Sequence, residues 1–454
     1  MQNLSYYTEN AYLASGWAKH VRINVKDGLI NSVTRDTNAK GCITLDGPTL
    51  PTIANLHSHS FQYLMAGMAE ISLKPNDSFW SWRDLMYKLV AELSPEDIRI
   101  ISTQLYIDML KAGYTQVGEF QYLFNSAGGN KYDCITEISD QLIAAADHAG
   151  IGLTLLPTLY SHSGFGGENP NQDQARFINS TEQYLRHHQA CTKKFKQHQL
   201  NQLGICFHSL RAVTEQQIND VLSAVDDQQV IHIHISEQEK EVNDCIAWSG
   251  QRPVEWLNNK IGLNARWSLI HATHINDNEV KVIANSGAVV GLCPTTESNL
   301  GDGIFPATDY LEHNGIWGIG SDSHISISIK DELRILEYSQ RFRDKQRNCL
   351  YDGANKRVGD YLFTHAQLGG NQALAVNNGL EVGQRADFMV LNSSNSFIGS
   401  RKPEDIINSW IFATNENVIK DVYVAGIPVI ENYQHRNESK SDEKFSALMH
   451  RIFN

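Results

Sequence analysis

The stretch Pro51-Thr52-Ile53-Ala54-Asn55-Leu56-His57-Ser58-His59 decides the fold, because an apolar run ends there in two histidines one residue apart. Alternate side chains of an extended strand share one face, so both imidazoles can reach the same point beyond the end of the strand. Neutral imidazole is a common ligand of zinc and similar divalent ions. The alternative is an exposed turn that carries two histidines by chance. The rest of the chain decides between these two interpretations.

Three later hydrophobic runs also end in polar groups that could bind such an ion or act beside it. Residues 230–235 carry His232 and His234, residues 267–271 end in a histidine, and residues 315–322 end in an aspartate. Fully buried parallel strands appear in a sequence as short continuous apolar runs. A parallel (β/α)8 barrel places its functional residues at the C-terminal ends of such strands. The pattern therefore predicts an α/β fold, a TIM barrel with a metal site.

The segments between these strands have the signals of helices. Ser94-Pro95-Glu96-Asp97 resembles a helix start, with a capping serine, a first-turn proline and acidic residues. Gly113 is placed to end that helix before the strand at 115–120. The same order of helix, glycine and strand recurs at Gly150 and Gly287. Alternation of this kind is typical of βαβ units and a parallel sheet.

The chain is longer than the roughly 250 residues of a single barrel, since it has 454 residues. Short alternating runs at 21–25, 386–391 and 422–430 make both ends β-rich. We expect the two ends to form one small β-sandwich beside the barrel. The predicted units are residues 1–49 and 376–454 for the β domain and residues 50–375 for the barrel.

Composition excludes several classes of partner. The net charge of −13 disfavours nucleic acid and anionic membrane surfaces. The sequence has neither an apolar run of about 18 residues nor a basic, apolar leader. Its seven cysteines include no C-x-x-C pair and suggest no disulfide framework. These features predict a cytoplasmic enzyme that acts on a small molecule.

The histidine pair, the strand-borne histidines and Asp322 together resemble the amidohydrolase superfamily, over the whole chain. Residues 379–388 are similar to that superfamily's return into the small β domain. Longer segments resemble the formimidoylglutamate deiminase family and are much more specific, namely residues 55–62, 76–87, 160–167, 206–214 and 299–309. Ser60 and Gln121 depart from that family's pattern, which leaves the roles of the residues around the ligands open.

The resemblance implies hydrolysis of N-formimino-L-glutamate to N-formyl-L-glutamate and ammonia, in histidine degradation. A divalent ion supplies the nucleophile by lowering the pKa of a bound water toward roughly 7. We assign as ligands His57, His59, His234 and Asp322, the pattern of mononuclear members. Binuclear relatives need a lysine at the end of an earlier strand, and residues 203–208 end without one. Zinc suits three imidazoles and one carboxylate, although iron and manganese also tolerate them.

Three residues are candidates for proton transfer. Glu237 lies three residues after His234, where a carboxylate can carry a proton from water to the leaving nitrogen. The alternative is a surface glutamate at the start of a helix. Asp322 can accept the proton of the attacking water. His271 could be a further ligand, but the family uses it to hydrogen-bond the attacking oxygen. We expect His232 to be a buried, hydrogen-bonded barrel residue.

The implied substrate carries two carboxylates, whereas the protein is acidic, so the site needs local positive charge. Arg83 and Arg211 lie in two of the family-specific segments, and guanidinium binds carboxylate in a bidentate manner. The resemblance adds Gln62, Tyr122 and His208 as hydrogen-bonding residues. We expect the nearby aromatic residues to pack behind Arg83 without a direct role, namely Phe79, Trp80 and Trp82.

Two other functions compete with this one. The chain could be a deaminase of the same fold that acts on a purine-like ring, but such a substrate would not require two arginines. It could also be a scaffold without catalysis, but such proteins usually lose ligands, and here every ligand position is filled. A homodimer is the habit of the family and is predicted on that basis alone.

Overall fold

A computed structural model of the chain describes residues 3–68, 70–71, 79–195, 200–353 and 356–454. The strands, in chain order, are β1 (Asn3–Leu13), β2 (Gly16–Lys26), β3 (Leu29–Thr34), β4 (Ile43–Thr44), β5 (Thr49–Pro51), β6 (Ile53–Ser58), β7 (Tyr114–Gln121), β8 (Gly152–Leu159), β9 (Gln202–Leu203), β10 (Ile205–Ser209), β11 (Ile231–Ile235), β12 (Trp267–His271), β13 (Val289–Leu292), β14 (Ile316–Ile319), β15 (Asn378–Gly379), β16 (Arg385–Ala386), β17 (Phe388–Leu391), β18 (Ile419–Val424), β19 (Ile427–Glu431) and β20 (Gln434–His435).

The α-helices are α1 (Phe79–Val90), α2 (Pro95–Lys111), α3 (Glu137–Ala149), α4 (Thr181–Phe195), α5 (Glu215–Ala224), α6 (Glu239–Ser249), α7 (Pro253–Lys260), α8 (Asp277–Ser286), α9 (Pro294–Leu300), α10 (Ala307–Glu312), α11 (Ile329–Asp344), α12 (Val358–Ala373), α13 (Ser396–Gly399), α14 (Ile406–Ala413) and α15 (Glu438–Phe453). None of those in the described ranges is long and apolar enough to cross a membrane.

The barrel consists of eight parallel strands with helices between them. Its strand order is β6, β7, β8, β10, β11, β12, β13 and β14, with the short β9 beside β8. A parallel bridge between Ser58 and Asp322 joins the two ends of this order and closes the barrel. The predicted barrel is therefore confirmed. The bridge also brings the histidine pair of β6 next to the aspartate that follows β14.

The chain ends form a second sheet of eleven strands. Its order is β15, β16, β3, β2, β1, β5, β17, β18, β19 and β20, and β4 pairs with β1. The N-terminal strands lie in the middle of this order with C-terminal strands on both sides, which confirms that both ends build one β unit. The predicted boundaries of the units stay a prediction. In the structure Thr49–Pro51 still pairs with β1 and β17, and the barrel begins at Ile53.

Local signals place the helices where the sequence predicts them. The Ser94 hydroxyl accepts the backbone N–H of Asp97, and the Asp97 carboxylate accepts the backbone N–H of Ser94. This reciprocal capping starts α2 at Pro95. Gly150 and Gly287 end α3 and α8 in the left-handed conformation that glycine adopts at little cost.

One glycine allows the barrel seam to close tightly. A Cβ atom on Gly320 would lie 2.9 Å from the backbone nitrogen of His57 and 2.8 Å from its Cβ. These distances are too short for carbon, so the approach of the two strands requires glycine at this position. The close contact sets how near Asp322 comes to the two histidines of β6.

The last helix packs against the barrel rather than extending from the terminal sheet. Arg451 of α15 donates to Asp97 of α2 at 2.5 Å, and Glu438 pairs with Lys111 at the other end of α2. The chain thus returns to the helix that follows the first barrel strand. All seven cysteines are free thiols, as predicted.

Candidate active site

The four predicted metal ligands lie together at the C-terminal end of the barrel. The Nε2 atoms of His57 and His59 are 3.1 Å apart, and Nε2 of His234 lies 3.1 Å from His57 and 3.3 Å from His59. The Asp322 Oδ1 atom lies 3.3 Å from His57 Nε2 and 3.4 Å from His59 Nε2. All four side chains are buried. Four potential ligand atoms therefore surround one small volume.

Outer hydrogen bonds fix which ring nitrogens face that volume. His59 Nδ1 lies 3.2 Å from the carbonyl of Phe120, and His234 Nδ1 lies 2.9 Å from the carbonyl of His208. A carbonyl only accepts, so both rings carry their proton on Nδ1 and direct an Nε2 lone pair inward. Inward lone pairs repel one another unless a cation lies between them.

The spacing of these atoms fits such a cation. Ligands at about 2.0–2.1 Å from a tetrahedral ion lie about 3.3–3.4 Å apart, by simple geometry. The observed separations of 3.1–3.4 Å between neighbouring ligand atoms agree with that figure. The residues present therefore suit a tetrahedral divalent ion.

The protonation states of the ligands also suit a cation. Burial, and next the charge on His57, lowers the pKa of His59 to about 3. Burial lowers the pKa of His234 well below its usual value. Burial alone would raise the pKa of Asp322, but the hydrogen bond and charge of His57, with other histidine charges, lower it overall. Neutral imidazoles and an ionised carboxylate are the forms that bind metal.

His271 lies between three carboxylates beside the ligands. Its Nδ1 is 3.2 Å from Glu297 Oε1, and its Nε2 is 3.9 Å from both Glu237 Oε1 and Asp322 Oδ2. Burial lowers the pKa of His271, but the charges of Glu237 and Asp322 and the bond to Glu297 outweigh burial and raise it to about 10. The ring is thus a donor directed toward the space between Glu237 and Asp322.

Glu237 is buried at the mouth of β11. Burial raises its pKa to about 7, with the charges of Asp322 and Glu241 adding to the effect and that of His271 opposing it. The two carboxylate oxygens of Glu241 accept the backbone N–H groups of Ser236 and Glu237, each at 3.2 Å. Glu241 was not singled out from sequence, and it fixes the turn that presents Glu237.

Three functional positions leave their strands through a left-handed backbone. The φ angles are 53° at Ser236, 68° at His271 and 47° at Asp322. Residues other than glycine rarely adopt this backbone conformation, and it costs roughly 1–3 kcal/mol for each residue. Strain of this kind persists only where surrounding bonds hold it, as Glu241 does at Ser236.

One pocket joins these residues to the predicted substrate-binding residues. Its lining consists of His59, Gln62, Phe79, Trp82, Arg83, Met86, Tyr87, Tyr122, Tyr160, His208, Arg211, His234, Glu237, His271, Leu300 and Asp322. Every predicted site residue except the deeper His57 is in this lining. Met86, Tyr87, Tyr160 and Leu300 also line the pocket; they lie in the family-specific segments 76–87, 160–167 and 299–309, but nothing in the sequence marks them as site residues.

A group of neutral hydrogen-bonding side chains lies on one wall of the pocket. Gln62 Nε2 donates to the Tyr122 hydroxyl at 3.0 Å, while Gln62 Oε1 is buried and has no partner in the described chain. The rings of Tyr122 and His208 lie 5.7 Å apart, and His208 packs on Tyr160 at 4.2 Å. Burial, and next the charge of Arg211, lowers the pKa of His208 well below its usual value.

The two arginines of the pocket surround one indole ring. The guanidinium carbons of Arg83 and Arg211 lie 4.7 Å and 5.7 Å from the centre of the Trp80 ring. Each Nε atom is buried, and neither has a hydrogen-bond acceptor within the described residues. Trp80 supports Arg83 as expected, whereas Phe79 and Trp82 line the pocket. The part of this segment at 76–78 lies outside the described residues.

His232 and Gln121 have structural bonds rather than places in the pocket. His232 Nε2 lies 2.8 Å from the carbonyl of Ala373, and burial lowers its pKa to about 4. It is the buried, hydrogen-bonded barrel histidine that the sequence predicts. Gln121 donates to the carbonyl of Leu123 and accepts the hydroxyl of Ser139.

Comparison with known proteins places the chain. The amidohydrolase family model matches residues 49–429, and the model for the N-terminal domain of formimidoylglutamate deiminase HutF matches residues 6–42. A formimidoylglutamate deiminase from Pseudomonas aeruginosa is 49% identical over 445 residues, which cover 98% of each chain.

Two solved structures agree with that result. An amidohydrolase from Brucella melitensis is 43% identical and superposes with a TM-score of 0.95, covering 99% of this chain and 100% of the other. An adenosine deaminase from Xanthomonas campestris, solved with bound zinc, is 20% identical, has a TM-score of 0.83 and covers 99% and 98%; at this identity it shows the fold alone. The chain belongs to the amidohydrolase family and groups there with the formimidoylglutamate deiminases.

Proposed function

We propose that this protein hydrolyses N-formimino-L-glutamate to N-formyl-L-glutamate and ammonia, a step of histidine degradation. The observation that carries this proposal is one pocket whose lining contains two groups of residues, the metal-binding and acid–base side chains and a pair of arginines. A linear diacid with a formimino group at one end matches that division. The 49% identity to a formimidoylglutamate deiminase supports the same substrate.

We propose zinc as the metal, one ion per subunit. Zinc accepts three imidazoles and one carboxylate at these spacings and can take a water molecule as a further ligand. β10 ends at Ser209 without the lysine that a second ion would need. When bound, the ion would activate a water molecule as the nucleophile at neutral pH.

The acid–base residues are arranged for the proton transfers. Asp322 is ionised and has Oδ2 directed toward His271, so it can accept the proton of the attacking water. His271 donates a hydrogen bond to the oxygen that adds to the formimino carbon. The formimino nitrogen must gain two protons to leave as ammonia, and both come from the attacking water. Ionised Glu237 takes one of them and delivers it to the leaving nitrogen, Asp322 returns the other, and the carbon keeps the oxygen as a formyl group.

The geometry suggests which side chains bind each of the two substrate carboxylates, a question that the sequence alone left open. Arg83 and Arg211 share the Trp80 ring, so their charges act at one place. We assign both arginines to one carboxylate. The other carboxylate then accepts hydrogen bonds from Gln62, Tyr122 and His208, which also line the pocket.

Ammonia release from N-formimino-L-glutamate by the zinc-loaded protein tests the activity. We expect turnover with this substrate and none with adenosine, because a neutral ring leaves both guanidinium groups without an anion. Elemental analysis of the same preparation should give one zinc per chain. Turnover of adenosine in place of the diacid would overturn the proposal, and two metal ions per chain would overturn the single-ion site.

We also propose a homodimer in the cytoplasm, with a small dicarboxylate as partner and no nucleic acid or membrane. Light scattering after size-exclusion chromatography measures the oligomeric state. A monomer across the range of assay concentrations would contradict the dimer. Cell fractionation tests the location.

A further inference from the structure

A buried carboxylate behind the metal site holds both neighbours of one ligand. Glu119, at the end of β7, is only 2% exposed and does not line the pocket. Its Oε1 accepts the backbone N–H of Ser60 at 2.8 Å, and its Oε2 accepts the Ser58 hydroxyl at 2.7 Å. Ser58 and Ser60 flank His59 in the chain. The Tyr106 hydroxyl also donates to Oε2, at 3.2 Å.

The hydrogen bonds continue from Ser58 across the barrel seam. Ser58 Oγ lies 3.2 Å from His324 Nε2, and His324 Nδ1 lies 2.9 Å from Ser321 Oγ. Asn55 Nδ2 donates to Ser321 Oγ at 2.6 Å, and Asn55 Oδ1 accepts the backbone N–H of Ser321 at 3.0 Å. These residues come from β6 and from the segment after β14, which together carry three of the four ligands.

Only one direction of proton donation is consistent with all the side-chain hydrogen bonds from Asn55 to Glu119. The Ser58 hydroxyl has a single proton, and it donates that proton to Glu119. His324 must then donate to Ser58 through Nε2 and accept the Ser321 hydroxyl at Nδ1. Ser321 in turn accepts from Asn55. In this series of side-chain hydrogen bonds each donor points toward Glu119. The carboxylate, which only accepts, therefore sets the direction of donation along the whole series.

Backbone bonds transmit this arrangement to the ligands. His59 N donates to the carbonyl of Asp322 at 3.2 Å, and Asp322 N donates to the carbonyl of His57 at 3.0 Å. A shift of Ser58 or Ser321 would therefore move two imidazoles and the aspartate relative to one another. His234, on β11, is held by a separate bond to the carbonyl of His208.

We propose that Glu119 is a positioning residue that presets His57, His59 and Asp322 at metal-binding distances. The inference rests on the proposed function, because it takes these side chains as ligands. Partners that orient metal ligands typically contribute ten- to a hundredfold in metal affinity. A purely structural carboxylate would contribute to stability and leave affinity unchanged.

Glu119→Gln is the sharpest variant because it keeps the shape and changes the direction of the bonds. Glutamine can accept the Ser60 N–H with its oxygen, but its nitrogen then donates toward Ser58 and Tyr106. Ser58 must turn its proton to His324, which reverses the tautomer there. Ser58→Ala is the second variant, since it removes the link to His324 and leaves the Glu119–Ser60 bond intact.

Glu337→Gln provides the matched control. Glu337 is fully buried and accepts the backbone N–H groups of Cys349 and Leu350 at 3.0 Å and 2.9 Å, as Glu119 accepts that of Ser60. Glu337 also accepts the Nε–H of Arg341 at 2.6 Å, and none of its hydrogen bonds within the described residues reaches a ligand. Loss of the Glu337 charge should lower the melting temperature and leave the affinity for Zn²⁺ unchanged.

The experiment titrates each apoprotein with Zn²⁺ in competition with a chromophoric chelator, and records melting with and without Zn²⁺. We expect the Zn²⁺ dissociation constant to rise about ten- to a hundredfold in Glu119→Gln and about tenfold in Ser58→Ala, and to stay at the wild-type value in Glu337→Gln. The increase in melting temperature that Zn²⁺ causes should be smaller than in the wild type for Glu119→Gln and Ser58→Ala, and unchanged for Glu337→Gln.

Two results would overturn the inference, and they differ. If Glu119→Gln and Ser58→Ala bind Zn²⁺ as tightly as the wild type, the carboxylate has only a structural role and the metal site stands. If the wild-type apoprotein itself takes up no Zn²⁺, the metal site fails, and the positioning role fails with it.

Discussion

The two ends of the pocket are built in different ways. At the metal-binding end the side chains are buried; carbonyls of neighbouring strands hold His59 and His234, and Glu297 of α9 holds His271. At the arginine end Arg83 extends from α1 and Arg211 from the loop after β10; both are half-buried, and they surround one indole. The first end is fixed before a substrate arrives, whereas at the second the Nε donors of both arginines have no acceptor among the described residues.

The largest effect should come from the fixed end. Glu237→Gln keeps the volume and the fold but removes the group that carries the proton, so kcat should fall about 10²–10⁴-fold. KM should change little, because the arginine end is untouched. Steady-state kinetics with zinc content measured on the same sample separates loss of proton transfer from loss of metal. A kcat close to that of the wild type would make Glu237 a bystander.

The arginine end should respond in KM. A charge-assisted hydrogen bond contributes roughly 1.5–3 kcal/mol, so Arg83→Met and Arg211→Met should each lower kcat/KM at least about ten- to a hundredfold. Normal processing of the diacid by both variants would remove the carboxylate clamp altogether.

Substrate analogues test whether the two arginines act together. N-formimino-4-aminobutyrate lacks one carboxylate of the substrate, and N-formimino-L-norvaline lacks the other. If both arginines bind one carboxylate, both variants should be penalised less by the same analogue, in a non-additive way. Coupling of Arg83 to one analogue and Arg211 to the other would restore the simpler expectation of one arginine for each carboxylate.

The two ends should also differ in their dependence on pH. Burial, then Asp322 and Glu241, raises the pKa of Glu237 to about 7. Turnover needs its ionised form, so kcat should rise as pH increases through this pKa and fall about tenfold for each unit below it. A bound cation favours the ionised carboxylate, so with the metal bound this rise in kcat should occur below pH 7. The rise in kcat with pH should disappear in Glu237→Gln. It should persist in Arg83→Met, because the guanidinium group does not titrate in this range.

The smallest effect should come from the ring beneath the arginines. A cation–π contact contributes about 0.5–1 kcal/mol at a partly exposed site, so Trp80→Leu should raise KM roughly two- to fivefold with kcat unchanged. Phe412→Leu is the control, since its ring lies 5.6 Å from Arg341 and outside the pocket. An equal change of KM in both variants would mean that the effect comes from general destabilisation.

The fixed end was largely predictable from sequence, for a physical reason. Strand periodicity places His57 and His59 on one face, and parallel strands bring their C-terminal ends together. The carboxylates that hold these ligands were not predictable. Glu119 and Glu241 look like any glutamate near a strand end, and their function depends on folded contacts; even the Asn55–Ser321 bond joins residues 266 positions apart.

The arginine end shows the opposite balance. Family resemblance identified Arg83 and Arg211, but neither periodicity nor composition indicates that they share Trp80. Helical spacing places Trp80 and Arg83 on neighbouring turns of α1. The approach of Arg211 depends on where the β10 loop lies above the barrel, which is a matter of tertiary packing.

The left-handed backbone at Ser236, His271 and Asp322 has a consequence for engineering a more heat-resistant form of this protein. A screen for thermal tolerance would favour glycine or asparagine at Ser236, because these residues relieve the backbone cost there. The same exchange would widen the angles open to Glu237 and weaken the proton transfer. Libraries for heat resistance should therefore leave these three positions fixed and vary the terminal sheet, where a gain in melting temperature carries no such penalty.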